Sequence, residues 1–237
     1  MPVGSLNESS LHAALKQAYV QPGDQIEVPV AGYLIDVVRF DPDNDGMPLL
    51  LIEIQTGNFS GMKRKLTMLL DQYPVRLVHP IALERHITLL DGETGEICSR
   101  RKSPKRGRVE EVFRELVSLP NLIHHPNFSL EVVLVSDEEI RVDDGKGSWR
   151  RKHQSIGDRH LIELVEPIHS RVFHQPQDLA ALLPESLTEP FSVRDVATAA
   201  KLQQALAGKM VYCLRTCGAI TLTGKARKAN LYSRQNP

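Results

Sequence analysis

Two acidic residues in apolar surroundings are the side chains of this sequence best suited to chemistry. Asp36 stands between Ile35 and Val37, and Glu53 stands in the apolar run 49–55. Burying an unpaired carboxylate in such a segment costs several kcal/mol, so an acid there needs a cationic partner. Two such acids on successive strands predict a site for a divalent metal ion.

Gln55 extends this candidate site. Side chains alternate along a strand, so Glu53 and Gln55 share one face. If the strand of Asp36 pairs with that of Glu53, both carboxylates reach one Mg²⁺ or Mn²⁺, and the Gln55 side chain reaches the same place. Hard cations take such oxygen ligands and keep several waters. The predicted chemistry is phosphodiester hydrolysis, with the metal activating water.

The elements that would position these residues follow from periodicity. Ser5 or Asn7 can cap a first helix, and strands are predicted at 26–28, 32–39 and 49–55. An amphipathic helix bearing Lys63 and Lys65 follows, and 75–81 reads as another strand. This alternation predicts an α/β fold, a mixed sheet flanked by helices.

The order helix, strand, strand with Asp36, strand with Glu53-Ile54-Gln55, helix, strand resembles the core of the PD-(D/E)xK nuclease superfamily, the restriction-endonuclease-like fold, over roughly residues 5–81. The resemblance implies that Asp36 and Glu53 hold Mg²⁺ or Mn²⁺. The superfamily has a lysine where this chain has Gln55. Some active members carry Gln there or take a lysine from the following helix.

The resemblance therefore implies a catalytic role for Gln55 and for Lys63 or Lys65, or else an inactive, binding-only member. Glu8 matches an acid that some members add to the metal site. Homodimers are common in the superfamily, which makes a homodimer possible here.

Each candidate also has a structural interpretation. Asp36 can pair with Arg39 or a backbone donor, and Glu53 can pair with Lys63 or Arg64. Glu8 suits the start of a helix, where the dipole favours an acid. The lysines of the following helix can form a solvated face.

The formal net charge of zero conceals an asymmetry. Residues 1–60 carry eight acids and two basic residues, whereas residues 201–237 carry seven basic residues and no acid. A segment of that kind is typical of a surface that contacts phosphates, so DNA is the expected partner.

Two basic segments supply the candidate DNA contacts. Residues 100–108 predict a mobile basic loop that binds phosphates without sequence preference, or alternatively a merely solvated loop. The candidates in this segment are Arg100, Arg101, Lys102, Lys105 and Arg106.

The second segment is the C-terminal part. A helix from Pro176, an N-cap at Ser192, an apolar repeat over 202–214 and a basic hairpin predict a winged helix-turn-helix with a recognition helix at about 203–216. Many winged helices bind proteins instead. The predicted DNA-contacting residues are Gln203, Gln204, Lys209, Arg215, Lys225, Arg227 and Lys228.

The predicted division is a nuclease-like domain over 1–145, a basic linker over 146–172 and a winged-helix domain over 173–237. The sequence contains no run of eighteen apolar residues and opens with a polar segment, so neither membrane insertion nor secretion is expected and a cytoplasmic location is predicted. Three cysteines without CxxC spacing argue against disulfides and structural zinc. The predicted function is that of a metal-dependent DNA nuclease; the alternative is an inactive DNA-binding regulator on a nuclease fold.

Overall fold

The computed structural model describes residues 9–41, 46–165 and 170–235. The first half of the described chain begins with α1 and ends with a long strand. Its elements are α1 (Ser10–Tyr19), β1 (Gln25–Val30), β2 (Tyr33–Phe40), β3 (Pro48–Ile54), α2 (Lys63–Leu70) and β4 (Val75–Asp91).

The second half completes the sheet and adds a helical C-terminal part. Its elements are β5 (Ile97–Lys102), α3 (Phe113–Leu116), β6 (Phe128–Asp143), β7 (Ser155–Leu164), β8 (Ser170–Phe173), α4 (Pro176–Ala180), α5 (Val193–Ala199), α6 (Gln204–Thr216), β9 (Ile220–Ala226) and β10 (Ala229–Arg234). Short 3-10 turns lie at Phe59–Met62, Val109–Val112, Pro120–His124 and Trp149–Arg151.

A mixed sheet organises the molecule. Its strands run in the order β1-β2-β3-β4-β6-β7, while β5 pairs with β4 and β8 pairs with β6. The pairs β1–β2 and β2–β3 are antiparallel, and β4 is parallel to both β3 and β6. A parallel neighbour requires a crossover, which α2 provides between β3 and β4. The predicted α/β class, a mixed sheet flanked by helices, is confirmed.

Apolar side chains cover both faces of the sheet. Leu11 and Leu15 of α1 pack with Ile52 and Ile54 on one face. On the other face Leu66 and Leu69 of α2 join a larger apolar cluster that continues to Tyr232 near the C-terminus. Helix α1 begins after Ser9, whose hydroxyl accepts a hydrogen bond from the His12 amide at 3.3 Å, rather than after Ser5 or Asn7.

The prediction of a loop over the basic segment is wrong for its first three residues, whereas residues 103–108 form no helix or strand. Arg100, Arg101 and Lys102 lie on β5, and the chain beyond stays attached to β4 because the Gly107 amide donates to the Ala82 carbonyl at 2.9 Å. A side chain at Gly107 would collide with that carbonyl, since an ideal Cβ would lie 2.3 Å from it. The loop prediction failed because all six residues of β5 are exposed and therefore carry no apolar alternation.

The prediction of a linker over 146–172 is also wrong. Residues 155–164 form β7 and residues 170–173 form β8, and both strands pair with β6 in the main sheet. An ion pair helps to hold β7 on the sheet, because Arg159 lies 3.2 Å from Glu139 of β6. The hydrophobic pattern that usually reveals a strand is therefore weak in this segment.

The C-terminal part contains three helices and a hairpin. Ser192 and Asp195 form a capping box at the start of α5, as predicted. A single bridge joins Phe191 to Tyr232 of the β9–β10 hairpin. Helix α6 packs on α3, and Lys209 donates to the Arg114 carbonyl at 3.1 Å. Among the residues described, we find no helix with the length and apolarity needed to cross a membrane.

Candidate functional site

The two predicted acids lie across from each other on neighbouring strands. The register of β2 and β3 pairs Val37 with Ile52 and Val38 with Leu51. One step beyond this ladder, Asp36 stands opposite Glu53. The Glu53 carboxylate lies beside Lys65 of α2, whereas the Asp36 carboxylate reaches His12 of α1, and the charges of the two acids interact. The structure therefore brings together the two residues that the sequence singles out.

Asp36 is held as an anion by a backbone amide and an imidazole ring. Its Oδ2 accepts a hydrogen bond from the Ile54 amide at 2.8 Å and lies 3.2 Å from Nε2 of His12 on α1. Burial by itself raises the pKa of Asp36, but these two partners hold the pKa below its ordinary value. Of the two structural partners predicted for Asp36, the backbone donor is confirmed in the Ile54 amide, whereas Arg39 pairs with Asp24 at 2.9 Å instead.

Glu53 is the less satisfied of the two acids. The residue is 4% exposed, and its Oε1 lies 2.7 Å from Nζ of Lys65 without a well-aligned hydrogen-bond donor. Burial raises the pKa of Glu53 to about 7; the charge of Lys65 opposes this rise, and the charge of Asp36 adds to it. A buried carboxylate that titrates near neutrality is typical of functional sites.

Lys65 is the lysine that reaches the site. It lies in the first turn of α2, and its Nζ also donates to the Leu34 carbonyl at 2.6 Å, which fixes the ammonium between β2 and β3. The side chain of Lys63 is exposed two residues earlier. The structural interpretation that paired Glu53 with Lys63 or Arg64 therefore named the correct helix but the wrong residues.

The side chain of Gln55 turns away from the acids. Its amide nitrogen donates to the Gly57 carbonyl, within the turn that follows β3. The backbone carbonyl of Gln55 accepts from Nδ1 of His79 at 2.7 Å, so this residue anchors β3 to β4. In this geometry Gln55 shapes the edge of the site, and the predicted approach of its side chain to Asp36 and Glu53 is not seen.

Two histidines escaped the sequence analysis. His12 contacts Asp36, and His79 is buried with its ring edge-on to Phe59 at 5.0 Å between centroids. Burial lowers the pKa of His79, which keeps the ring neutral. The usable signal for His79 was the one that marked Asp36: a polar residue inside an apolar strand.

The residues present fit a metal cation for which the protein supplies only some of the ligands. Asp36 and Glu53 converge, and the buried Oε1 of Glu53 lacks an aligned donor. Within the described ranges no group of three or more His, Cys, Asp or Glu side chains has the arrangement of a metal site. Glu8, the predicted third acid, lies outside the described residues. Mg²⁺ suits such a site because it keeps several waters and completes its shell with substrate phosphate.

The first group of predicted DNA contacts is exposed but paired with acids. Arg100 lies 2.9 Å from Glu138, and Lys105 lies 2.8 Å from Glu111. Lys102 and Arg106 both pair with Glu84. Arg101 is exposed on β5. Exposed ion pairs of this kind contribute little to stability, so phosphates can displace the acids at small cost.

The second group lies on α6 and the hairpin. Gln203, Gln204 and Arg215 are exposed, whereas Lys209 is half-buried and directed at the Arg114 carbonyl. Lys209 therefore supports the contact between α6 and α3. Tyr212, 50% exposed, stands on the open face of α6 and had no signal in the sequence.

The hairpin cations border a cavity without an acid in its lining. Lys225, Arg227 and Lys228 are exposed, and Arg227 occupies the turn with φ of +53°. A cavity of about 510 Å³ separates the hairpin from α5 and α6. Its polar lining includes Arg194, Gln204, Arg227, Lys228 and Asn230.

The chain belongs to a protein family whose description is "Domain of unknown function (DUF8091)", which matches residues 9–171. This match covers α1 through the start of β8. A full-length relative is an uncharacterized protein of Treponema pallidum (strain Nichols), 32% identical over 243 residues, which cover all of this chain and 89% of the relative. The relative therefore also matches the C-terminal helices and hairpin. No solved structure matches the chain.

Proposed function

We propose that this protein is a metal-dependent DNA nuclease that hydrolyses phosphodiester bonds. The observation that carries the proposal is the convergence of Asp36, Glu53 and Lys65 at the β2–β3–α2 junction. Two carboxylates and one ammonium form the minimal set for holding a hard cation and neutralising charge on a phosphate.

Each residue has a role in this proposal. Asp36 and Glu53 hold Mg²⁺ or Mn²⁺, which when bound activates water and offsets charge at the scissile phosphate. Lys65 stabilises the negative charge that develops on the phosphate oxygens. His12 and the Ile54 amide keep Asp36 ionised and oriented toward the site.

The order of elements supports the same proposal. Helix α1, strands β1 to β3, helix α2 and strand β4 follow one another with β3 parallel to β4, which is the arrangement expected from the resemblance to PD-(D/E)xK nucleases. Lys65 of α2 then takes the place of the motif lysine that Gln55 replaces.

The C-terminal part supports DNA as the substrate. The order α4, Phe191 bridge, α5, α6 and β9–β10 hairpin supports the winged helix-turn-helix that the sequence predicts. The exposed Gln204 and Arg215 are suited to base edges, and the hairpin cations are suited to phosphates.

A cleavage assay tests the proposal. Labelled duplex, single-stranded and branched DNA are incubated with the pure protein in Mg²⁺ or Mn²⁺, with EDTA as the metal-free control. We expect cutting that EDTA abolishes, that Glu53→Ala abolishes, and that Glu163→Ala, a change of an exposed acid on β7, leaves intact. Cutting by Glu53→Ala at the wild-type rate would show that the reaction does not use this site.

The rival function is a DNA-binding regulator that keeps the nuclease fold without its activity. The ammonium of Lys65 at 2.7 Å from Glu53 favours it, because an internal cation already compensates the acid where a metal would bind. Salt-dependent DNA binding without cutting on any substrate, in either metal, would favour the regulator over the nuclease.

A further inference from the structure

A second cavity lies beside the candidate site and is lined by four basic side chains. It measures about 280 Å³ and opens between the end of β3, the middle of β4 and the segment that follows β5. Its lining includes Thr56, which is three residues after Glu53 and therefore within ~10 Å of it along an extended chain. We call it the arginine pocket after Arg85, Arg114 and Arg141, which line it together with Lys105.

The four cations come from four separate parts of the chain. Arg85 lies on β4, Lys105 follows β5, Arg114 lies on α3 and Arg141 lies on β6. Two acids, Glu111 and Glu115, share the lining. His79, also in the lining, is neutral, so the lining carries an excess of positive charge.

The acids near the pocket already have partners. Glu111 lies 2.8 Å from Nζ of Lys105, and Glu115 accepts a hydrogen bond from the Phe59 amide at 3.4 Å. Behind the lining, Arg85 binds two further acids. Its Nε donates to Asp137 at 2.7 Å, and its Nη1 donates to Glu139 at 2.9 Å. Arg85 is thus a fixed part of the wall.

Arg114 and Arg141 retain N–H groups for a ligand. Nε of Arg114 is buried without a hydrogen-bond acceptor, and its nearest acid, Glu111, is 3.9 Å away. Arg141 is held through Nε by Glu139 at 2.9 Å, which leaves the two terminal nitrogens of its guanidinium for the pocket. Guanidinium donors arranged in this way bind phosphate oxygens in pairs.

We propose that the arginine pocket binds a phosphate group of the nucleic acid strand whose neighbouring phosphate lies at Glu53. The inference rests on the proposed function for the identity of the ligand. The buried donor of Arg114 and the position of Thr56 support it independently of cleavage. The pocket fixes where the strand lies on the β3–β4 edge. Its phosphate comes either from the 5′ end of the strand or from its interior.

A binding experiment without metal tests the pocket. Fluorescence anisotropy in EDTA measures the dissociation constants of a short single-stranded DNA with a 5′-phosphate and of the same strand with a 5′-hydroxyl. Arg114→Gln is expected to weaken binding about tenfold. Lys146→Gln, which removes an exposed cation outside the pocket, is expected to leave the affinity almost unchanged.

The two strands distinguish the sources of the phosphate. An Arg114-dependent preference for the 5′-phosphate identifies a strand end, and equal loss for both strands identifies an internal phosphate. An unchanged affinity of Arg114→Gln for both strands would overturn the proposal. If Arg114→Gln does not fold, Lys105→Gln replaces it, because the Lys105 side chain is 64% exposed and its loss does not disturb the core.

The outcome is independent of the cleavage assay. Arg114-dependent binding by a protein that never cuts would refute the proposed nuclease and leave the pocket standing. If the protein cuts DNA in a metal-dependent way but Arg114→Gln binds DNA with unchanged affinity, only the proposal for the arginine pocket is refuted.

Discussion

Two pairs of acids lie on the same sheet and differ in how far neighbouring cations compensate their charges. Asp137 and Glu139 on β6 are 0% and 2% exposed, and Glu139 alone is contacted by Arg85, Arg141 and Arg159. Burial alone would raise the pKa of Glu139, but the three guanidinium groups hold it below its ordinary value.

At the β2–β3 edge the compensation is incomplete. Glu53 has one ammonium beside it and Asp36 opposite it, and its pKa is raised to about 7. A network with enough cations serves to hold strands together, whereas an acid left under-compensated has unused capacity for a metal, a proton or a substrate. The contrast marks the β2–β3 edge as the place for chemistry.

The largest expected effect is the loss of folding stability when one acid of the β6 pair is removed. Asp137→Ala leaves the Arg85 guanidinium without its closest acid, and we expect the free energy of unfolding to fall by about 3–5 kcal/mol. Urea denaturation at pH 8 measures it. Glu53→Gln in the same assay should not destabilise the protein. Equal losses for the two variants would remove the distinction drawn between these sites.

A pH series sharpens the comparison at Glu53. Because its pKa rises from 4.5 to about 7 on folding, the folded state holds its proton more tightly than the unfolded state. Stability is therefore lost as the pH rises from 4.5 to 7, by about 3 kcal/mol in total. Glu53→Gln mimics the protonated acid and does not titrate. Between pH 4.5 and pH 8, the free energy of unfolding of Glu53→Gln should therefore rise by about 3 kcal/mol relative to that of the wild type.

Chemical denaturation at several pH values checks this dependence. Glu139→Gln is the matched comparison, since the pKa of Glu139 is lowered by its arginines and its stabilising effect grows with pH in the acid range. If the difference in free energy of unfolding between Glu53→Gln and the wild type stays constant from pH 4.5 to pH 8, burial does not raise the pKa of Glu53.

Added metal should restore part of the stability that the protein loses when Glu53 ionises. At pH 8, Mg²⁺ or Mn²⁺ well above its dissociation constant should stabilise the folded protein by about 1–3 kcal/mol, and at pH 5.5 by much less, because protonated Glu53 is a poor ligand. Differential scanning fluorimetry measures the shift. A shift of the same size in Glu53→Gln would place the metal elsewhere.

The smallest expected effect concerns Asp36. Removing the contact with Nε2 in His12→Ala should lower the free energy of unfolding by about 1 kcal/mol at neutral pH. Since the pKa of Asp36 lies below 3.8 in the folded state, this contribution disappears as the pH falls through that range. Urea denaturation at pH 7 and pH 3 tests it; a loss that persists unchanged at pH 3 would indicate a packing effect of His12 instead.

Sequence reasoning succeeded where one residue carried a strong physical signal. An acid inside an apolar strand identified Asp36 and Glu53, and a Ser-x-x-Asp pattern identified the start of α5. It failed where structure is held by charges between residues distant in sequence. Strands β5 and β7 have almost no apolar alternation, and the ion pairs that align them join residues about twenty or more positions apart.

The same limit applied to the site. Lys63 and Lys65 have the same residue type in the same helix, and only the approach of Lys65 to the Leu34 carbonyl decides between them. His12 depends on how α1 crosses β2, and Arg114 depends on how α3 meets β4. None of these positions follows from local spacing.

The long parallel contact between β4 and β6 has a consequence for folding kinetics. The register joins Val75 to Phe128 and continues to Asp91 and Asp143, so each pair closes a loop of about fifty residues. Closing that loop lowers the conformational entropy of the chain before the contacts between the two strands can stabilise it. Strands β7 and β8 can join the sheet only after β6 is in place. We therefore expect formation of the β4–β6 ladder to limit the rate of folding.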